Sequence, residues 1–543
     1  MRVLTSEEMN ETDRRTMRDF GTPLMALMEA AGKAVATFAT RQFPHARRVV
    51  VLCGKGNNGG DGMVAARLLA ASGLAVNVVL LGKAEAVKGD AASALTRLRE
   101  ANILLHEVED QADLLRVFDE MGLRGKSTES GVDLLLDAVV GTGFRPPLRG
   151  LAEVARNLVN ELSVPVIAVD VPSGWDADSM DQTVEGAFRA DAVVTFTAPK
   201  LAHVFGYMTA GPVVVAGIGS PDEAIPAGDG LSWTGSSKTI AEKPRGPNSN
   251  KGKFGHVLLV GGSYGTAGAP AMASLAALRT GAGLVTAAVP KSIVDVVAGV
   301  APELMLKPVE EGPEGAIALS NIEGSQLDEL LKRMTVLAVG PGLSQRGDAS
   351  AVARELLAKT KIPMVIDADG LNAFDGRDDL LRGEGRTLVL TPHPGEMARL
   401  AGLTVKEVEA DRIGLARRFA TEHKLTLVLK GWRTLVAHPD GRIAVNTTGN
   451  PAMSKGGSGD ILTGIVAAML AQYPENVAEA VETAVYLHGL AADFAARAMD
   501  EHTVLATDTV MHLSNAFRYR VKDEDGLTWI CGLQEERQKR GHE

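Results

Sequence analysis

The sequence predicts an α/β protein built as two doubly wound domains. Three observations carry this. Short β-branched and aliphatic runs alternate with alanine- and leucine-rich segments along most of the chain. The alternation breaks once, at 220–253, where SPDEAIPAGDGLSWTGSSKTIAEKPRGPNSNKGK is rich in Gly, Pro, Ser and Lys. Several apolar runs end in glycine-rich or acidic turns, and in open parallel sheets ligands bind beyond the carboxyl ends of strands. Continuous apolar strands separated by helices are covered on both faces, the mark of a parallel sheet.

The opening MRVLTSEEMNETDRR is charged from its start and lacks a signal-peptide core. PLMALMEAAGKAVATFAT (23–40) has helical amphipathicity, and Pro23 suits a first helical turn. Strands are expected at 49–53, 75–81, 132–138, 164–170, 191–197 and 212–216, with helices at 61–72, 88–101 and 151–162 between them. MGLRGKSTESG (121–131) reads as a mobile loop. After the break, GHVLLVGGS (255–263) starts a new series. Further strands are expected at 284–289, 335–339, 362–367, 386–391 and 425–430, and helices near 268–281, 348–359, 411–423, 457–471 and 475–496. The expected domains are therefore 1–225 and 251–515, joined by a linker at 226–250, with a polar, poorly ordered tail at 516–543.

Bulk properties narrow the function. With 543 residues the chain exceeds one hydrophobic core. A net charge of −11 argues against broad nucleic-acid binding, which needs basic surface to neutralise phosphates. No window offers about 20 uninterrupted apolar residues, so no membrane span is expected and the default location is cytoplasmic. Cys53 and Cys531 make no disulfide framework. The sequence is compatible with a homo-oligomer.

In the first domain, four strand tips carry polar turns. GKGNNGGDG (54–62) follows the first strand, DAVVGTGFRPPLRG (137–150) the third, DVPSGWDAD (170–178) the fourth and APK (198–200) the fifth. They supply the oxygen donors Asn58, Asp137, Asp170 and Ser173, and amide-rich turns at 56–61 and 141–144 able to hold an anion. Hard oxygen donors suit a hard cation rather than zinc or copper. Any one loop could be a plain Asn/Asp turn. Four on one sheet edge point to a ligand site.

The second domain offers GNPAMSKGGSGDILTG (449–464), a glycine-rich turn running into an apolar helix. The amides of Gly456 to Gly459 would face an anion, reinforced by the helix dipole. Asp460 would sit in the first turn, close to that anion. A simple N-cap is the plain alternative. A carboxylate beside phosphate has a natural task, accepting a proton from a hydroxyl that attacks phosphorus. KGWRT (430–434) could wrap a nucleotide's phosphates or ribose. In TPHPGEMARL (391–400), Glu396 is placed to organise water on Mg²⁺, and His393 either contacts substrate or is merely solvated. VGPGLS (339–344) and DADGLNAF (367–374) add further strand-tip turns, and His488 is expected to pack inside a helix.

On GNNGGDG, DAxxGTG with a later RG, DxPSG, KGxxT and GGSGD, in that order, the chain resembles the bifunctional NAD(P)H-hydrate repair enzymes over roughly residues 1–515. The resemblance implies a Rossmann-like epimerase domain followed by a ribokinase-like, nucleotide-dependent dehydratase domain. It implies that the hydrated dinucleotide lies along Asn57, Asn58, Gly59, Gly60 and Asp61, along Gly141, Thr142, Gly143, Phe144, Arg145, Pro146 and Pro147, and against Asp170. Asn58, Asp137 and Ser173 would ligate K⁺, and Lys200 is a weaker candidate for work on the substrate. In the second domain Lys430, Gly431, Trp432, Arg433, Thr434 and Gly459 would hold the nucleotide. Ala269, Gly342 and His393 would face the hydrated nicotinamide, with Asp460 as base. Where the family loop often reads GMATGGTGD, this chain has AMSKGGSGD, so Lys455 adds a positive charge near the phosphates.

The implied activity is metabolite repair. NADHX and NADPHX, hydrated at C6 of the reduced nicotinamide, would be interconverted between R and S forms by the first domain. The second would dehydrate the S form at the expense of ADP or ATP with Mg²⁺, and the fused layout favours ADP. Two alternatives keep the fold: a ribokinase-like small-molecule kinase, and a non-catalytic nucleotide-sensing or RNA-associated first domain.

Overall fold

The computed structural model describes residues 1–123, 131–228 and 230–534. It divides into two compact units, Met1–Asp229 with Arg520–Glu543, and Gly230–Tyr519. Residues 124–130 of the expected mobile loop lie outside the described part.

The first unit is built on seven parallel strands: β1 Arg48–Cys53, β2 Ala75–Leu81, β3 Leu104–Val108, β4 Leu134–Ala138, β5 Val166–Val169, β6 Ala192–Phe196 and β7 Val213–Ala216. Their order is β3-β2-β1-β4-β5-β6-β7. Val49 lies opposite Val76 of β2 and Leu134 of β4, so the direction of winding reverses at β1. The reversal opens a crevice beyond the carboxyl ends of β1 and β4. Side chains alternate between the two faces along each strand. Val49, Val51 and Cys53 meet Ala31, Val35, Phe38, Met63 and Leu98 of the helices Leu24–Gln42, Asn57–Ala71 and Gly89–Glu100. Val50 and Leu52 meet Leu114, Phe118, Ala155 and Val159 of Gln111–Glu120 and Leu151–Asn160.

An eighth strand, Leu527–Cys531, pairs antiparallel with β7. The expected poorly ordered tail is corrected for 527–531, which form a strand with its first four residues buried, while residues 535–543 lie outside the described part. Trp529 is buried against Phe38, with ring centroids 6.1 Å apart, and its Nε1 donates to Asp523 Oδ2 at 2.8 Å. Average polarity concealed a short apolar run.

The second unit carries β8 Leu231–Trp233, β9 His256–Val260, β10 Leu284–Pro290, β11 Met305–Val309, β12 Val336–Val339, β13 Met364–Ile366, β14 Leu388–Leu390, β15 Thr426–Leu429, β16 Leu435–Ala437 and β17 Ile443–Val445. The order is β11-β10-β9-β12-β13-β14-β15-β16-β17-β8. Strands β9 to β15 are parallel, and β16 and β17 add antiparallel strands towards one edge. The first part of the expected linker is also corrected: β8 pairs with β17, and fully buried Trp233 donates from Nε1 to Thr447 Oγ1 at 2.8 Å. A three-residue strand is too short to leave a period in the sequence. The helix Ser458–Gln472 is buried from Ile461 to Ala471. It is apolar all round, as a helix without a solvent face must be.

Candidate active sites

The first site forms at the crevice beside β1. A cavity of about 1040 Å³ is lined by Asn57, Asn58, Asp61, Gly141, Thr142, Gly143, Phe144 and Asp170 among the expected residues. The helix Asn57–Ala71 starts directly after β1 and directs its first-turn amides at this space. Gly59 permits the close turn, since a Cβ there would lie 2.0 Å from the Gly54 carbonyl oxygen. Gly59 and Gly60 are buried behind the wall rather than on it. Arg145, Pro146 and Pro147 are also off the wall, and the Arg145 guanidinium binds Asp176 at 3.0 Å and Asp178 at 2.9 Å.

On the floor, both Asp170 oxygens are taken. Oδ1 accepts from Lys200 Nζ and Thr195 Oγ1, each at 2.9 Å, and Oδ2 from the Thr142 amide at 2.8 Å and the Thr142 hydroxyl. Burial alone would raise the Asp170 pKa, but the Lys200 charge and these hydrogen bonds outweigh it and hold the carboxyl below the usual range. Lys200 is buried, and its ammonium also reaches Thr195 Oγ1 at 2.7 Å. His203 Nδ1 accepts from the Lys200 amide at 3.0 Å, so Nε2 carries the proton and donates to the Asp170 carbonyl at 2.7 Å. Burial and the nearby Lys200 charge push the imidazole pKa down to about 4, which keeps it neutral.

Asp137 and Ser173 also meet. Ser173 donates to Asp137 through its hydroxyl at 2.6 Å and its amide at 2.7 Å. Burial pushes the Asp137 carboxyl up to about 6 against these bonds. The Asn58 side chain is buried, and neither its oxygen nor its nitrogen has a hydrogen-bond partner. A buried amide without partners is costly unless something else supplies them. Lys55, Arg14 and Arg149 bring positive charge to the same cavity, and Asp13 lies on its wall. Asp13 and Arg14 are not marked by the sequence, where TSEEMNETDRR reads only as a charged opening. Its signal was the T-x-x-E capping box, and Thr5 and Glu8 do cap the helix Ser6–Phe20.

The second site gathers at the carboxyl ends of β9 and β12 to β15. Asp460 lies in the first turn of Ser458–Gln472, after Gly457 in left-handed conformation (φ 98°). The first i→i−4 bond of that helix runs from the Ile461 amide to the Gly457 carbonyl at 3.0 Å, so the amides of Gly459 and Asp460 precede the ladder. Lys430 Nζ lies 2.9 Å from Asp367 Oδ1 and 3.7 Å from Glu396 Oε2. Thr463 Oγ1 donates to Asp367 Oδ2 at 2.7 Å. Burial, then the Asp367 charge, raise the Asp460 carboxyl to about 7 against the pull of Lys430. Burial would lower the Lys430 pKa, but Asp367 and Glu396 outweigh it and raise it.

Ala269 and Gly342, far apart in sequence, come together. A Cβ on Gly342 would lie 3.1 Å from the Ala269 Cβ, and Thr266 Oγ1 donates to the Gly342 carbonyl at 2.7 Å. His393 Nδ1 accepts from the amides of Gly395 and Glu396 as the cap of Pro394–Ala401, and Nε2 lies 3.5 Å from Glu396 Oε1, while the side chain is half exposed. In KGWRT, the Arg433 guanidinium stacks 4.5 Å over the Trp432 ring and donates to the Thr447 carbonyl at 2.7 Å. Lys455 bonds the carbonyls of His502 and Val504, both at 2.6 Å. Its charge is thus spent on a neighbouring loop. His488 is buried in the helix Val477–Ala498, as expected.

Sheet order and site chemistry define a two-part α/β enzyme: a Rossmann-like unit with a polar crevice, and a ribokinase-like unit with an acid–lysine cluster facing helix-turn amides. A family model described as YjeF-related protein N-terminus matches residues 24–202, and one described as NAD(P)H-hydrate dehydratase matches 257–515. The chain is 39% identical to the bifunctional NAD(P)H-hydrate repair enzyme Nnr of Moorella thermoacetica, over 95% of this chain and 97% of that protein. It is 33% identical to the Escherichia coli protein of the same name, over 96% and 95%. An ADP/ATP-dependent NAD(P)H-hydrate dehydratase from Bacillus subtilis, co-crystallised with ATP/Mg²⁺, aligns at 30% identity and a TM-score of 0.45, covering 54% of this chain and 99% of that one. This chain belongs to the family of bifunctional NAD(P)H-hydrate repair enzymes.

Proposed function

We propose that the first unit interconverts the R and S forms of NADHX and NADPHX and that the second dehydrates the S form with ADP or ATP. The observation that carries the second reaction is Asp460, a carboxyl in an amide-lined turn whose pKa is raised to about 7 by burial and by Asp367. The hydroxyl at C6 of the hydrate is a poor leaving group. Asp460 takes its proton as the oxygen attacks the terminal phosphorus, and the phosphorylated oxygen departs with help from the ring nitrogen's lone pair. The amides of Gly459 and its neighbours stabilise the charge on the transferred group. Lys430 and the 431–434 turn hold the nucleotide, and Ala269, Gly342 and the exposed edge of His393 face the nicotinamide. The carboxylates of Asp367 and Glu396 already neutralise Lys430. Glu396 is the residue that would help hold Mg²⁺ here, and the ion would supply positive charge to the nucleotide's phosphates.

In the first unit, the partnerless Asn58 amide beside the Asp137–Ser173 pair fits a hard, weakly charged cation. Asn58, Asp137 and Ser173 are the residues that would hold K⁺, which would fix the loop that meets the substrate's phosphates. Lys55, Arg14 and Arg149 supply the opposing charge. Among the described residues no helix is long and apolar enough to cross a membrane, and the proposal sets the enzyme in the cytoplasm.

Purified S and R hydrates test the division of labour, with inorganic phosphate release and NADH recovery read together. Asp460→Asn is expected to abolish ADP-dependent recovery while R–S interconversion continues. NADH recovery at the unmodified rate would defeat the base assignment. A stable phosphorylated product without NADH would mark a small-molecule kinase instead.

A further inference from the structure

Interconverting the two hydrates requires a proton donor and acceptor at C6, yet the groups on the floor of the first cavity are committed. Both Asp170 oxygens, the Lys200 ammonium and both His203 nitrogens are held in mutual hydrogen bonds. The carboxylate of Asp137 is occupied by Ser173. Asp13, on the cavity wall, is not committed in this way. It projects from the helix Ser6–Phe20, and its Oδ1 is buried without a hydrogen-bond partner. The same cavity wall carries the apolar side chains of Met9, Leu24, Leu27 and Met28. A wall of that kind suits a ring, while the amides of 57–58 and 141–144 suit phosphates.

We propose that Asp13 is the catalytic proton-transfer residue of the first unit, moving one proton between the C6 hydroxyl and the ring nitrogen N1 of the hydrate. The proposal rests on the reading that this unit epimerises. Carbon C6 bears both N1 and the hydroxyl, so it is a hemiaminal. The Asp13 carboxylate takes the hydroxyl proton, the oxygen's electron pair closes a C=O bond, and the C6–N1 bond breaks with its pair going to N1. The same carboxyl returns the proton to N1. Rotation about C5–C6 presents the other face of the aldehyde. N1 then gives its proton to Asp13 and attacks C6, and Asp13 passes the proton to the oxygen. Configuration at C6 is inverted, and no other reactant is consumed.

The electrostatics agree with this geometry. Burial lifts the Asp13 carboxyl to about 6, Lys200 pulls it down, and Asp170 pushes it up, with Asp61 a further acidic neighbour and Arg14 on the same wall. A group poised near the working pH can both take and return a proton.

The test uses the full chain and purified R hydrate, following R–S conversion above the uncatalysed rate. Asp13→Asn is expected to lower kcat about 100-fold or more with KM changed less than about threefold, while ADP-dependent dehydration of the S hydrate is unchanged. Asp13→Glu is expected to recover part of kcat. Epimerisation by the unmodified protein should fade as pH falls through about 6. An Asp13→Asn kcat within about threefold of the parent overturns the proposal. So does a loss confined to KM. If Asp13→Asn melts the first unit, the parent's pH profile and Asp13→Glu decide, and a kcat flat between about pH 5 and about pH 8 is then the overturning result. A parent protein that shows no conversion above background defeats the epimerase reading itself.

Discussion

Lys430 and Asp367 form a buried ion pair, Nζ to Oδ1 2.9 Å, next to Asp460. Burial is the main cause of the raised proton affinity of Asp460, and the pair adjusts it. The Asp367 charge disfavours ionisation of Asp460, and Lys430 favours it. A base must be ionised, so dehydration is expected to weaken as pH falls through about 7. Asp367→Asn removes the repelling charge and releases Lys430 toward Asp460. Both changes lower the Asp460 pKa, and the acid limb should move down by about one pH unit. A pH–rate profile of NADH recovery checks this, and a limb that stays in place would remove Asp367 from the account.

Potassium should act on stability and should compete with protons. A cation on Asp137 favours its ionised form, whose pKa in its absence is raised to about 6 by burial. Added KCl is expected to raise the melting temperature of the first unit at pH 7, by up to about 2.7 kcal/mol of stabilisation at a hundredfold excess over Kd. The gain should shrink as pH falls below about 6, where protons hold the site. Choline chloride controls for ionic strength. Asn58→Ala and Asp137→Asn should abolish the gain, and an equal gain from choline would contradict a specific site.

Lys455 separates the sequence reading from the structure. From sequence its charge beside GGSGD either helps bind the nucleotide or is only solvated, and in the structure its ammonium holds the His502 and Val504 carbonyls. Lys455→Met is expected to leave the KM for ADP within about twofold and to cost about 1–2 kcal/mol of stability through the two carbonyls left unpaired. A tenfold rise in that KM would return the residue to the phosphates.

The parallel cores were legible because strands buried on both faces write unbroken apolar runs, as in VVVLC (49–53) and TLVL (426–429). The turns after them were legible because glycine and aspartate cluster where backbone must approach a ligand, so 54–62 and 456–460 stood out. Other features had no local signature. The edge strands β3 and β11 are half exposed and mixed in polarity. Asp13 reaches the cavity only through the packing of Ser6–Phe20. Asp367 sits in the strand-tip turn DADGLNAF, but its bonds to Lys430 and Thr463 span 63 and 96 residues of sequence. The pairing of Ala269 with Gly342 likewise depends on β9 lying beside β12.

The strand Leu527–Cys531 gives the sharpest structural test. Residues 527–531 cover the open edge of β7, and Trp529 fills space against Phe38 on the helix Leu24–Gln42. Arg41 of that helix also binds Asp523 at 2.7 Å and Asp525 at 3.0 Å. A tail that only trailed in solvent could be removed freely. Truncation after Tyr519 should instead uncover the edge of β7 and leave Phe38 without its aromatic neighbour. The first unit is expected to lose about 3–5 kcal/mol on Trp529→Ala, and truncation should cost at least as much. Differential scanning calorimetry reads the loss, and R–S conversion should fall at elevated temperature before it falls at 25 °C. ADP-dependent recovery from S hydrate should persist, because the second unit closes at Tyr519. An unchanged first transition in the truncated protein would show that this strand contributes nothing to the sheet it joins.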